Sequence, residues 1–167
     1  MTALASIRRQ LLHLEQRLNA HLRHKSSETL AHRAVATANR PSPRHLILGE
    51  RGEDAAFTYL CELGYTVVAR RWHSSRRSGD LDLIAWHDAT LVFVEVKTRT
   101  HRDISPAESK VDSDKQRILR QLAAAYLAQF PERHRDNIPI RFDVISVYLL
   151  STGAQFDYFP NAFARFD

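Results

Sequence analysis

Two acids and a lysine stand where an apolar strand pattern turns ionic. In "TLVFVEVKTR" (residues 90–99) the β-branched and aromatic residues alternate as in a strand. Leu91, Phe93, Glu95, Lys97 and Arg99 then share one face, and Val92, Val94, Val96 and Thr98 the other. Both faces begin apolar, which predicts a central strand covered on each side. The face of Leu91 and Phe93 becomes charged at Glu95 and Lys97, as expected where a central strand runs into a cleft. Just upstream, "GDLDLIAW" places Asp80, Asp82, Ile84 and Trp86 on one face of a neighbouring strand. Asp82 and Glu95, on antiparallel strands joined by the short turn "HDA", are two carboxylates that can meet. Close carboxylates repel unless a cation relieves them. A hard divalent ion such as Mg²⁺ or Mn²⁺ suits such a pair, because Mg²⁺ binds through one or two carboxylates plus waters and phosphate oxygens. Lys97 would orient the attacking water or offset charge in the transition state. That set of groups suits phosphodiester hydrolysis.

The elements that must hold these groups are readable. "GERGEDAAFTYLCELGY" predicts a helix stopped at Gly64, with Glu53 on the apolar stripe of Gly49, Ala56, Phe57 and Leu60. Glu50 and Asp54 fall off that stripe and read as ordinary solvated charges. "TVVARRW" predicts the strand before "GDLDLIAW". A long loop from Thr100 to Val111, containing Pro106, follows the Glu95 strand. "SDKQRILRQLAAAYLAQF" is a helix with Ile118, Leu119, Leu122 and Tyr126 on one face, and Lys115 opens it. "IPIRFDVISVYLL" is a fourth strand, in which Arg141 and Asp143 form a structural pair, and "AQFDYF" is a candidate fifth. The order α-β-β-β-α-β predicts one compact α/β domain.

Charge divides the chain of 167 residues unevenly. Residues 1–45 carry 8 Lys/Arg against 2 Asp/Glu, and residues 46–167 carry 16 against 17. Leu4, Ile7, Leu11, Leu14 and Leu18 give the first segment an amphipathic helical seam, and "PSPR" reads as a linker. The expected division is a basic helical arm with its linker over residues 1–45 and a near-neutral body over residues 46–167. A basic arm on such a body suggests an anionic polymer as partner. Arg70, Arg71, Arg76 and Arg77 flank "WHSS" beside the acidic strand and are candidate phosphate contacts, as is Lys115. The single Cys61 excludes an intrachain disulfide and fits a reducing compartment, so a cytoplasmic location is expected.

"G-x-x-G-E-x-x-A", "GDLDLIA", "LVFVEVKTR", "RFDVI" and the closing "NAF" together resemble the YraN-like family of uncharacterised bacterial proteins, which is related to PD-(D/E)XK nucleases and archaeal Holliday-junction resolvases. The resemblance spans residues 49–163 and leaves the basic arm out. It implies a restriction-endonuclease-like αβββαβ core with a central mixed sheet. It also implies a site of Glu53, Asp82, Glu95 and Lys97, with metal ligands at Asp82 and Glu95 and the lysine as catalytic cation. The chain departs from the family at Gly79-Asp80, where Gly-Glu is usual, and in "HRDISPAESK", which lacks the family's Phe-Gly step. The expected function is Mg²⁺-dependent cleavage of DNA, at branched or structured sites, by a homodimer. The alternatives are a non-catalytic nucleic-acid-binding scaffold, or an interaction protein that docks a partner through the leucine seam.

Overall fold

The computed structural model describes residues 44–102 and 111–165. The basic arm with its leucine seam and linker, and the Pro106 stretch of the long loop, lie outside the described residues.

Helix α1 runs Arg44–Glu62, starting five residues before the glycine where its apolar stripe begins. It ends in the hydrogen-bond pattern a C-terminal glycine permits. Gly64 takes φ +84°; its N–H bonds Cys61 O at 3.0 Å, and the Tyr65 N–H reaches back to Leu60 O at 2.9 Å. Strands β1 (Thr66–His73), β2 (Asp80–His87) and β3 (Thr90–Arg99) follow as an antiparallel meander. Helix α2 (Ser113–Leu127) and the short α3 (Glu132–Arg135) then carry the chain to β4 (Ile140–Leu150), which pairs parallel to β3. Strand β5 (Gly153–Phe163) closes the sheet antiparallel to β4, longer than the "AQFDYF" segment. Among the described residues the sheet is five-stranded and mixed, in the order β1-β2-β3-β4-β5.

The period-2 pattern sorts the core into two layers. Ala56, Leu60 and Tyr65 cluster with Leu83, Ala85, Val92, Val94, Ile145 and Val147 on one face. On the other, the Tyr126 ring of α2 meets Trp72 and Phe93 edge-on, and Phe93 stacks on Phe142. Strand β3 is thus central, as its sequence requires. Helix α1 approaches it closely: a Cβ on Gly52 would fall 1.8 Å from Thr98 Oγ1, so only glycine fits this contact. Glu53 is therefore carried by a helix seated directly on the strand that bears Glu95 and Lys97.

The Arg141–Asp143 pair sits on β4, with Arg141 partly buried and donating also to the Tyr65 and Tyr158 hydroxyls. Asp143 is 0% exposed. It takes both Arg141 Nε and Nη2 at 2.8 Å, the Asn161 N–H at 2.8 Å and the Tyr158 hydroxyl. These bonds hold the irregular stretch of β5, where the register with β4 shifts between Phe142 and Val144 and Asn161 takes φ +53°.

Candidate active site

The site forms where β2 and β3 part. Their ladder runs from His87↔Thr90 to Leu83↔Val94. Beyond Val94, β3 continues to Arg99 against β4 alone. Asp82 stands at this fork, and its Oδ2 accepts the Val96 N–H at 2.7 Å, where a backbone carbonyl of β2 would otherwise be needed. Glu95, the next inward residue of β3, is 6% exposed. Its Oε1 lies 3.6 Å from Lys97 Nζ, and its Oε2 lies 3.1 Å from Lys115 Nζ. The second contact is an ion pair at hydrogen-bonding distance whose buried Oε2 lacks the geometry of a full hydrogen bond.

Lys115 reaches the site from the first turn of α2. Asp112 caps that helix by accepting the Lys115 N–H at 2.8 Å, which fixes the backbone from which the side chain extends.

The Asp82 carboxyl feels the charges of the other acids. Burial raises the Asp82 carboxyl first, the negative charge of Glu95 second and that of Glu53 further. The Val96 N–H and the Lys115 charge oppose this, and Asp82 is left pushed up to about 7. Burial alone would lower the Lys115 ammonium, but Glu95, Asp82 and Asp80 outweigh it and hold it above the ordinary lysine range.

Glu53 is engaged by Arg71, which bonds its Oε2 and also donates to Glu50 Oε1 at 3.0 Å. Arg71 takes φ +48°, a left-handed conformation uncommon outside glycine. The positive φ within β1 breaks the strand alternation. Arg70 and Arg71 both turn to the acids of α1, Arg70 to Asp54 and over the Phe57 ring, while Trp72 packs on Tyr126. Glu50 and Asp54 stay 59% and 65% exposed, as helix spacing predicts, and each also pairs at the surface with an arginine of β1. Spacing along α1 carries no information about arginines arriving from β1. The four arginines divide accordingly: Arg70 and Arg71 lie within β1 and are tied to α1, while Arg76 and Arg77 lie in the connection to β2. Arg77 donates to Gln121 Oε1 at 3.0 Å, and the Arg76 N–H bonds Ser74 Oγ at 3.2 Å.

Two features escaped the sequence reading. The Lys115–Glu95 contact joins separate elements and leaves no local trace. The Gly52–Thr98 approach has a signal, a glycine inside a helical pattern, which costs helix stability unless packing requires it.

Among the described residues, no group of three or more His, Cys, Asp or Glu side chains is gathered as a self-sufficient metal site. Asp82 and Glu95 instead offer two hard carboxylate donors, one with an oxygen lacking a hydrogen bond. That fits the sparse protein ligation of Mg²⁺ rather than a full protein cage. No helix among the described residues is long and apolar enough to cross a membrane.

The family described as "Uncharacterised protein family UPF0102" matches residues 52–147, the stretch that holds Glu53, Asp82, Glu95, Lys97 and Lys115. Similar proteins include the UPF0102 protein of Koribacter versatilis, 47% identical over 107 residues that cover 64% of this chain and 72% of the relative. The UPF0102 protein of Geobacter metallireducens is 40% identical over 116 residues, covering 70% and 91% of the two chains. That of Solibacter usitatus is 39% identical over 115 residues, covering 69% and 84%.

Proposed function

The chain belongs to the uncharacterised protein family UPF0102, and we propose that it binds nucleic acid and hydrolyses DNA phosphodiester bonds with a divalent cation, Mg²⁺ or Mn²⁺. Asp82 and Glu95 would hold the cation. The observation that carries this reading is the buried Glu95 oxygen that lies against an ammonium without a hydrogen bond, beside a second carboxyl raised toward neutrality. A buried carboxylate left in that condition costs stability, and a cation ligand offsets it.

When bound, such a cation acidifies a coordinated water and polarises a phosphoryl oxygen. The chain's own groups supply the rest. The Val96 N–H fixes the Asp82 carboxylate in its place at the fork. Lys97 presents its ammonium to the attacked phosphate and offsets charge that develops there. Glu53, held by Arg71, adds a third carboxylate at the edge of the site and is a candidate to accept a proton from water. Arg76, Arg77 and the basic arm of residues 1–45 would hold the flanking phosphates, with affinity that falls as salt rises. Branched or otherwise structured DNA is the proposed substrate, and a homodimer would place two such sites for paired cuts.

A non-catalytic nucleic-acid-binding scaffold is the second reading. It is favoured by one observation, that Lys97 and Lys115 both neutralise Glu95 from within the chain. The test is cleavage of end-labelled four-way junction, flap and linear duplex DNA in Mg²⁺, Mn²⁺ or EDTA, with wild type beside Lys97→Ala and Glu95→Gln. Metal-dependent cutting that disappears in both variants is expected. Binding without cutting in every metal would select the scaffold.

A further inference from the structure

The cation nearest Glu95 is not Lys97 on the same strand but Lys115 on another element. Its ammonium lies 3.1 Å from Glu95 Oε2, against 3.6 Å from Lys97 to Oε1. The stem is delivered from a fixed point. Asp112 caps the Lys115 N–H, and Gln116 Nε2 bonds Val111 O at 2.7 Å, so the helix start is pinned on both sides of the residue. Asp82 and Asp80 also act on the Lys115 charge. Lys115 therefore sits amid the same carboxylates that would receive a divalent cation. Yet its contact with Oε2 lacks hydrogen-bond geometry. Charge-assisted hydrogen bonds of full geometry are the strong form of such pairs, and the Lys115 side chain, a flexible stem still 30% exposed, can leave this one.

We propose that Lys115 is an exchangeable counter-ion: it neutralises Glu95 while no divalent cation is bound, is displaced when one binds, and then engages the DNA phosphate. The proposal rests on the reading of Asp82 and Glu95 as metal ligands. In this scheme the ammonium that metal binding releases from Glu95 is the one the phosphate takes up, so metal and DNA each favour the other's binding, by equal factors.

The test uses the full chain and two readouts other than turnover. Calorimetric titration with Mn²⁺ alone compares wild type, Lys115→Gln, Lys115→Arg and Glu95→Gln, each first checked for folding by thermal melting. Removing an opposing charge beside the ligands should tighten Mn²⁺ binding in Lys115→Gln by about tenfold or more, the equivalent of one pK unit of charge interaction. Lys115→Arg should bind at wild-type strength and Glu95→Gln more weakly. Lys115→Met, which keeps the apolar stem, is run beside Lys115→Gln in case the amide disturbs packing.

The second readout is the salt dependence of binding to a labelled duplex oligonucleotide. In EDTA, Lys115→Gln should match the wild-type slope. In Ca²⁺, its slope should be shallower by about one phosphate contact, a change of roughly 0.9. If Lys115→Gln binds Mn²⁺ no tighter than wild type while Glu95→Gln binds weakly, the counter-ion role is overturned and the metal reading stands. Equal slopes in EDTA and in Ca²⁺ overturn the hand-over to phosphate. A wild type that takes no Mn²⁺, or a Glu95→Gln that titrates like it, overturns both.

Discussion

Replacing Gly52 by alanine probes the seating of α1 on β3, on which the position of Glu53 depends. An added Cβ would lie 1.8 Å from Thr98 Oγ1, 2.7 Å from Cγ2 and 2.8 Å from Cβ. The three atoms lie on both branches and at the root of one side chain, so no rotation of Thr98 clears them together. Helix or strand must move. Overpacking of this kind costs about 1–3 kcal/mol, while alanine gains about 1 kcal/mol over glycine inside a helix. The net loss is therefore up to about 2 kcal/mol, less than steric overlap alone would suggest. Urea denaturation should show a lower midpoint at unchanged slope. Thr98→Ala removes the two closest atoms, so the double variant should be more stable than the sum of its parts, with a coupling of about 0.5–3 kcal/mol. Gly52 precedes Glu53 and Thr98 follows Lys97, so the same shift should also reduce the proposed cleavage. A Gly52→Ala protein as stable as wild type, with an additive double variant, would refute the close seating.

Arg141→Met leaves Asp143 buried beside hydroxyl and amide partners without its guanidinium, and should cost about 3–5 kcal/mol in denaturant melts. A loss well under 1 kcal/mol would mean the pair is not the anchor of β5. Asp82 titrates near 7 in the fold against 3.8 ordinarily, so between those values the folded state holds more protons than the unfolded one. Its contribution to stability therefore falls as pH rises through that window. Melting in EDTA from acid to neutral pH should show this decline in wild type and a flatter curve in Asp82→Asn; parallel curves would remove the shift. Arg71→Gly relieves a left-handed residue, for a gain of about 1 kcal/mol, and loses two partly exposed ion pairs, to Glu53 and Glu50, worth about 1 kcal/mol or less each. Stability should fall by about 1 kcal/mol at most while the proposed cleavage falls, and cleavage at the wild-type rate would show that Arg71 does not position Glu53.

The parts legible in the sequence are those governed by local period. "TLVFVEVKTR" announced a central strand because both faces are apolar before Glu95, and the structure covers both. Its switch to charge marked the fork, where β2 leaves and a burial pattern alone would have continued. The length of β5 was hidden for a physical reason. Pro160 and the left-handed Asn161 interrupt its pattern, and its far end is held by Asp143 from β4 rather than by its own composition. The α1 partners of the β1 arginines were not legible, because a positive φ at Arg71 overrides alternation and nothing in the residue type announces it. Lys115 was recognised as a site residue, but as a phosphate contact only. Its carboxylate partner lies across the gap between α2 and β3, a tertiary fact that no spacing within α2 encodes.

Two charged clusters lie on the same sheet, and their difference bears on what each is for. Around Asp143 each carboxylate oxygen takes at least two donors, from Arg141, Tyr158 and Asn161, and the bonds are short. That is the pattern by which a buried charge is made tolerable, and it leaves no valence for a ligand. Glu95 is nearly as buried, yet one oxygen has an ammonium at 3.6 Å and the other has one at 3.1 Å without a hydrogen bond. A network built for stability alone closes such contacts, as the Asp143 cluster on the adjacent strand does. The looser cluster has two mobile lysine stems where the tighter one has a planar, bidentate guanidinium. Lysines can yield a carboxylate to another cation at small structural cost; the Arg141 fork cannot. The contrast supports a structural role for Asp143 and an exchange role for Glu95, and it does so without appeal to any relative.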